Sequence, residues 1–421
     1  MNKTVFKKAD ILIPHDIDMK KWSVVACDQY TSEPEYWNET EKIVGSAPST
    51  MRITLPEIYL EHDDVSERIK NINDTMDRYF ESGWLASHND SLVYVERSLS
   101  DGSVRRGLIG AVDLEEYDYN KGSQTLIRAT EGTVLERIPP RVKVRQNARL
   151  EVPHIMLLID DEADSVIGPL SRHKSEFNKL YDFELMQGGG SIKGYDVPNE
   201  YADGIFCALD NLGDEAGFNK KYGVSGKGVL LFAVGDGNHS LATAKACYEN
   251  IKNQNGTDSE EAKLSRFALV EVVNLHDESL KFEPIHRVVF DVDTDHMIKA
   301  IEKYYDISYD KCDCQSFEYM TSKGKKRIYV KNPSSNLAVG TLQNFLDAYI
   351  KEHGGKCDYV HGDDVVEKLS AESRNIGFLL PEMEKSELFL TVILDGALPR
   401  KTFSMGHACD KRFYLECRRI R

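Results

Sequence analysis

The feature that most constrains this chain is a nearly continuous apolar run, Val229-Leu230-Leu231-Phe232-Ala233-Val234, leading straight into Gly235-Asp236-Gly237-Asn238-His239-Ser240. A run of this kind fits a strand buried on both faces, as in sheets covered by helices. The alanine-rich segment from Ser240 to Lys252 follows at once and has helical character. The first amides of a helix lack intrahelical partners and lie at the positive end of its dipole. Gly235 and Gly237 let the chain bend tightly and let a ligand approach the backbone. The turn is therefore a candidate anion site. Asp236 is suited to hold a metal ion or orient a hydroxyl, and His239 to contact phosphate or shuttle a proton. The bland alternative stands beside this one, because Asp, Asn and Ser are also ordinary helix N-caps. The turn is not a P-loop: Gly223-Val224-Ser225-Gly226-Lys227-Gly228 has the wrong spacing and precedes the strand. Nor is it a dinucleotide fingerprint.

Other elements can be placed around it. Trp22 to Cys27 reads as a buried strand, followed by a polar loop, Asp28-Gln29-Tyr30, with Pro34 opening a helix. Val65 to Phe80 reads as a helix ending before Gly83. Leu92 to Arg97 and Arg105 to Leu114 form a β-hairpin around Asp101-Gly102. Gln124 to Ala129, Pro153 to Asp160 and Phe267 to Asn274 read as strands, and Pro284 to Phe290 starts another. Gly188-Gly189-Gly190 marks a glycine-rich loop. Beyond about residue 291 the pattern changes. Asp295 to Tyr305 and Gln343 to Glu352 look helical, and Arg327 to Lys331 and Leu388 to Leu394 look like strands.

A length of 421 residues exceeds one typical core. The expected organisation is an N-terminal α/β part of the core over 1–120, a nucleotide and catalytic core over 121–290, and a C-terminal α+β lobe over 291–421. The formal net charge of −16 argues against nucleic acid or an anionic membrane as a bulk partner. Within that acidic chain, Arg137 to Arg149 holds five basic residues and no acid. Met1 to Asp10 has lysines but no apolar run, so no secretory signal is expected. Eight cysteines without a CxxC pair give no disulfide framework. Cys312-Asp313-Cys314 reads as two thiols on a loop, and a cytoplasmic, reducing compartment is expected.

At the turn a resemblance becomes usable. Asp236-Gly237-Asn238-His239 resembles the Asp-Gly-His-His-Arg motif of the bacterial and archaeal family called domain of unknown function 1015. Glu131-Gly132-Thr133 with Arg141 resembles that family's His-Glu-x-Thr and downstream Asp-Arg. Pro284-Ile285-His286-Arg287 resembles its Pro-Thr-His-Arg, and Leu398-Pro399-Arg400-Lys401-Thr402 its C-terminal Met-Pro-Lys/Arg-Lys-Ser/Thr. The order matches throughout. The turn is also similar to that of the ParB/sulfiredoxin-like fold, which includes kinases of free serine. The resemblance implies a mixed α/β fold (α+β), a ParB-sulfiredoxin-like core with an additional α+β lobe. It also implies phosphoryl transfer from ATP or ADP, with Mg²⁺, to a small alcohol, free L-serine leading. Asn238, Ser240 and Thr130 depart from the motif where the family has histidine, arginine and histidine. The lost arginine would have supplied a bidentate phosphate contact.

On this reading Glu131 is the base, and Asp236 clamps the transferring group through Mg²⁺. His239 donates to a phosphate oxygen. Gly235, Gly237, Asn238 and Ser240 cradle phosphate, while Arg128 and Arg141 offset its charge. Thr133, His286 and Arg287 contact the substrate, and the Gly188 to Gly190 loop covers the nucleotide. Each has a plainer alternative. Glu131 could cap the basic segment, Arg137 to Arg149 could be a solvated strand face, and His286 with Arg287 could be a structural pair. The triple glycine could be a surface loop, Lys401 simple solvation, and Asp28-Gln29-Tyr30 a turn rather than a substrate edge. The expected partners are a nucleotide and a small-molecule substrate, with a homodimer admissible. Two other functions compete. A non-catalytic nucleotide-binding regulator would want a DNA-binding module, and no basic helix-turn-helix is visible. A metal-dependent hydrolase would want a histidine–carboxylate cluster, and the twelve histidines are dispersed.

Overall fold

A computed structural model describes residues 5–421. The chain forms two compact units, Met1–Leu280 with His407–Arg421, and Lys281–Gly406. No helix among the described residues is long and apolar enough to cross a membrane.

The first unit is built on a ten-stranded mixed sheet. Its order is Asn178–Glu184, Ser191–Asp196, Val93–Ser98, Val104–Asp113, Phe267–Asn274, Met156–Ile159, Phe232–Asp236, Ile127–Ala129 and Tyr117–Asp118, with Phe6–Lys7 paired to Val104–Asp113. The apolar runs have a direct cause: the sheet is covered on both faces. Leu108, Val112, Val270 and Val272 enter one core, together with Leu241, Ala244 and Tyr248 of the helix Asn238–Asn255. Their neighbours Ile109, Ala111 and Leu269 enter the opposite core, with Trp37, Phe413 and Leu415. Alternate residues of each strand thus point to different cores.

The second unit carries a six-stranded sheet ordered Ile307–Ser308, Gly324–Val330, Gln315–Thr321, Ile376–Leu379, His286–Phe290 and Lys356–Val360. Every pairing in it is antiparallel. A ribbon of Phe282–Pro284 with Phe403–Met405 brings the two ends of this unit together. The units are not consecutive in sequence: the strand His286–Phe290 lies in the second and His407–Arg421 in the first.

Most expected elements are present, but several differ. Trp22 ends a short helix, Met19–Trp22, and Val25 makes only an isolated bridge with Phe413. The basic segment is a helix, Ile138–Arg145, not a strand face; Pro139 and Pro140 sit at its start, where a missing N–H costs nothing. Leu388 to Leu394 lies in the helix Lys385–Asp395. A short, mostly apolar run does not separate a buried strand from a buried helix. The ends decide it: the Glu387 carboxylate accepts from the Glu384 N–H at 2.8 Å, and Gly396 closes the helix at φ 81°. Cys312 and Cys314 are joined by a disulfide rather than free.

Candidate functional site

The strand Phe232–Asp236 lies between a parallel neighbour, Ile127–Ala129, and an antiparallel one, Met156–Ile159. The second pairing breaks register between Val234 and Asp236, so the chain bulges at Gly235. Gly237 then adopts φ 79°, and a Cβ there would stand 3.0 Å from the Ile155 backbone. Only glycine fits both constraints. Gly237 is the N-cap of Asn238–Asn255, and no side chain caps that helix. The first backbone bond of the helix is from the Leu241 N–H to the Gly237 carbonyl, at 3.0 Å. The amides of Asn238, His239 and Ser240 precede it.

The parallel pairing carries the Glu131 segment to the same corner. Thr130 Oγ1 donates to the Val234 carbonyl at 2.6 Å, and the Val134 N–H donates to His239 Nε2 at 3.4 Å. Burial first, then Arg141 and Arg137, pushes the His239 imidazole down to about 4. His239 is thus neutral near pH 7, accepting at Nε2 and left with a donor at Nδ1. Asn238 Oδ1 and Thr133 Oγ1 are buried in this corner without a hydrogen-bond partner. Such orphans are uncommon in folded proteins and call for an explanation. Asp236 Oδ1 accepts from the Gly237 N–H at 2.9 Å, and Asp236 Oδ2 lies 3.3 Å from Lys411 Nζ.

A second layer stands beneath Ser240. Its Oγ is 3.3 Å from His154 Nε2, which is also 3.5 Å from Asp28 Oδ2. His154 Nδ1 is 3.0 Å from the Tyr414 hydroxyl. Burial opposes the imidazolium, but Asp28, Asp236 and Glu57 outweigh it and raise His154. Burial likewise opposes the Asp28 carboxylate, and His154, Gln29 and Lys411 hold it well below the usual range. His154, Asp28, Lys411 and Tyr414 were not among the expected site residues.

Several expected residues lie elsewhere or are otherwise engaged. Arg128 is buried, and its guanidinium donates to the carbonyls of Thr125 at 2.8 Å, Gly228 at 2.5 Å and Val229 at 3.1 Å. It therefore bends toward the start of the central strand, away from the turn at its end. Arg141 influences His239, but its guanidinium is paired with Glu57 through Nε at 3.0 Å and bonded to the Arg137 carbonyl at 2.7 Å. His286 and Arg287 belong to the second unit. His286 accepts from the Leu380 N–H at 3.1 Å and faces Asp363 at 2.9 Å. Arg287 is fully buried and donates to the carbonyls of Arg400 at 2.8 Å and Lys401 at 2.9 Å. Two of the four motif stretches thus form one structural clamp. The glycine loop is a tight hairpin end: Arg97 donates to the Gly189 carbonyl, and a Cβ on Gly189 would meet Phe413 at 2.6 Å.

Ligand atoms of Asp160, Glu162 and His276 gather within 4.8 Å of one another, a grouping that dispersed sequence positions did not reveal. Lys221 Nζ already stands among them, 2.9 Å from Asp160 and 3.3 Å from Glu162. The Tyr222 hydroxyl takes the other Asp160 oxygen at 2.5 Å. A lysine cation and a phenol satisfy this cluster.

The chain belongs to the family described as "Protein of unknown function (DUF1015)", whose model matches residues 13–349. No curated protein matches it. Among solved structures it is similar to SbnI with a C-terminal truncation from Staphylococcus aureus, at 9% identity and TM-score 0.36, covering 71% of this chain and 83% of that one. It is similar to a free serine kinase in complex with AMP, at 10% identity and TM-score 0.36, covering 72% of this chain and 90% of that one. It is also similar to a conserved hypothetical protein from Pyrococcus furiosus, at 10% identity and TM-score 0.33, with 72% and 90% covered.

Proposed function

We propose that this protein is a kinase that transfers a phosphoryl group from a nucleotide, ATP leading, to a small-molecule hydroxyl, free L-serine leading. The carrying observation is that Thr130 ties the Glu131 segment to Val234, at the end of the strand whose last residue, Asp236, precedes an uncapped helix N-terminus. The two motif stretches at this corner, Glu131-Gly132-Thr133 and Asp236-Gly237-Asn238-His239, support the same reading, as does the expectation of a ParB/sulfiredoxin-like core.

The donor set fits a hard divalent cation: the Asp236 carboxylate, with Asn238 Oδ1, two residues on in the same turn, as an orphaned oxygen. Mg²⁺ held there would offset charge on the transferring group. The chain's own groups do the rest. The amides of Asn238, His239 and Ser240 hold phosphate oxygens at the positive end of the helix. His239 donates to phosphate from Nδ1. Thr133 orients the acceptor hydroxyl, and Glu131 takes its proton as the acceptor oxygen bonds the terminal phosphorus and the phosphoanhydride bond breaks, releasing ADP from ATP or AMP from ADP. Arg128, turned to the carbonyls of Thr125, Gly228 and Val229, is given no role in this reading, and none is assigned to His286 and Arg287.

The test is direct. Purified full chain is incubated with Mg²⁺, ATP or ADP, and a panel of amino acids and small alcohols, and phosphorylated product is sought by ³¹P NMR. Product with a hydroxyl acceptor is expected. No product from either donor, with nucleotide binding retained, overturns the kinase in favour of a non-catalytic nucleotide-binding protein.

A further inference from the structure

Two facts about Asp236 are unexplained by the turn alone. Its Oδ1 is taken by the Gly237 N–H, so a cation approaching the carboxylate meets Oδ2. That oxygen is held by Lys411 Nζ at 3.3 Å, with side-chain exposures of only 16% and 18%. Lys411 lies in the segment His407–Arg421, which returns to the first unit after the chain has built the second. The next residue, Arg412, is buried and anchored to Glu271, to Glu416 at 2.5 Å and to the Pro153 carbonyl at 3.4 Å. The Lys411 backbone is thus fixed beside the turn, while its four-carbon stem leaves the ammonium free to move.

We infer that Lys411 is a phosphate-binding residue of this site, exchanging its pairing with Asp236 for a ligand phosphate when a divalent cation takes Asp236 Oδ2. This deepens the proposed function and rests on its reading of the turn as a nucleotide-phosphate site. The exchange keeps each charge paired. The cation replaces one ammonium on Asp236, and the displaced ammonium meets the anion that arrives with the cation. Cation and nucleotide then bind cooperatively, because each removes the partner that competes with the other. The ligand class follows: a nucleoside di- or triphosphate bound with its metal, rather than an isolated monoanion. Ser240 lacks a cationic side chain at the turn, and Lys411 supplies the missing charge from a distant part of the sequence.

The test is made on the full chain with two probes, Mn²⁺ alone by electron paramagnetic resonance and ADP with Mg²⁺ by calorimetry. Lys411→Met keeps the apolar stem and removes the ammonium. It is expected to bind ADP about tenfold or more weakly, as for loss of a charge-assisted bond, and to bind Mn²⁺ more tightly, because Asp236 is freed. Lys411→Arg is expected to recover most of the ADP affinity. Opposite changes in the two affinities do not arise from general damage to the site. If Lys411→Met binds ADP within about twofold of wild type, or if both affinities fall together, the inference is overturned while the function stands. If wild type binds neither ATP nor ADP, both fall.

Discussion

Thr130 Oγ1 donates to the main-chain carbonyl of Val234 at 2.6 Å, closing the gap between two parallel strands where both reach their C-terminal ends. That bond fixes the distance between the loop carrying Glu131 and the turn carrying Asp236. Thr130 is only 2% exposed, so water does not replace its hydroxyl. Thr130→Val keeps the volume and leaves a buried carbonyl short of a donor. A loss of about 1–3 kcal/mol is expected in urea unfolding, with weaker ADP binding. A variant as stable as wild type would show that the two segments are held by packing alone.

Glu131→Gln separates a base from a cap. A positioned general base contributes about 100-fold or more to rate. The variant is expected to lose at least that factor in kcat while binding ADP as wild type does. A loss of only about tenfold, or a fall in stability in place of the rate effect, would make Glu131 a structural carboxylate.

The sequence made the turn legible because its determinants are local. Two glycines, an aspartate and an apolar strand sit within a few residues, and their conformations follow from backbone sterics. Phe267–Asn274 was legible for the same reason, since burial on both faces leaves an unbroken apolar run. His154 and Ser240 are 86 positions apart, and no periodicity joins them. Lys411 was unreadable for a further reason: a division into consecutive lobes assigns it to the other unit. Arg128 was misread because a charge in a sequence does not say toward which end of a strand its side chain bends. Leu388 to Leu394 reads as a strand because its less buried positions, Leu390 and Leu394, are apolar too, so no polar face sets the period.

His154 and His239 are expected to titrate in opposite senses. His154 is raised above its ordinary value near 6.5, so its pairing with Asp28 contributes fully below that value and is lost as pH rises through the folded value. Wild type is therefore expected to lose stability as pH rises above 6.5, and His154→Gln to flatten that limb. The observable is the urea midpoint across pH. An unchanged slope in the variant would mean that His154 is neutral in the fold.

His239 supplies the acid limb. It is lowered to about 4 in the folded state, so between 6.5 and that value the unfolded chain binds the extra proton. Stability falls as pH drops through this window, and His239→Gln is expected to remove that part of the loss. The contribution of Asp28 is separable. Its carboxyl is lowered, so its stabilisation is present above the ordinary value of 3.8 and vanishes only in stronger acid.

Arg412 anchors the C-terminal segment, and its replacement tests how that segment is held. The side chains of Arg412, Glu271 and Glu416 are 3%, 1% and 0% exposed, and the arginine bonds both carboxylates. Arg412→Met removes the shared cation and leaves two carboxylates in the interior. Breaking a buried pair from one side costs about 3–5 kcal/mol. The urea midpoint is expected to fall accordingly, and His407–Arg421 is expected to become sensitive to limited proteolysis. Adding Glu271→Gln and Glu416→Gln to Arg412→Met is expected to recover only part of the loss, because the two carboxylates no longer carry charge while buried Arg105, 4.0 Å from Glu271, loses its ion-pair partner. Recovery would assign the cost to unpaired charge. A triple variant no more stable than Arg412→Met would assign it to packing and hydrogen-bond geometry. In either case Lys411 loses its fixed neighbour, so ADP binding by Arg412→Met is expected to weaken even at urea-free, fully folded conditions.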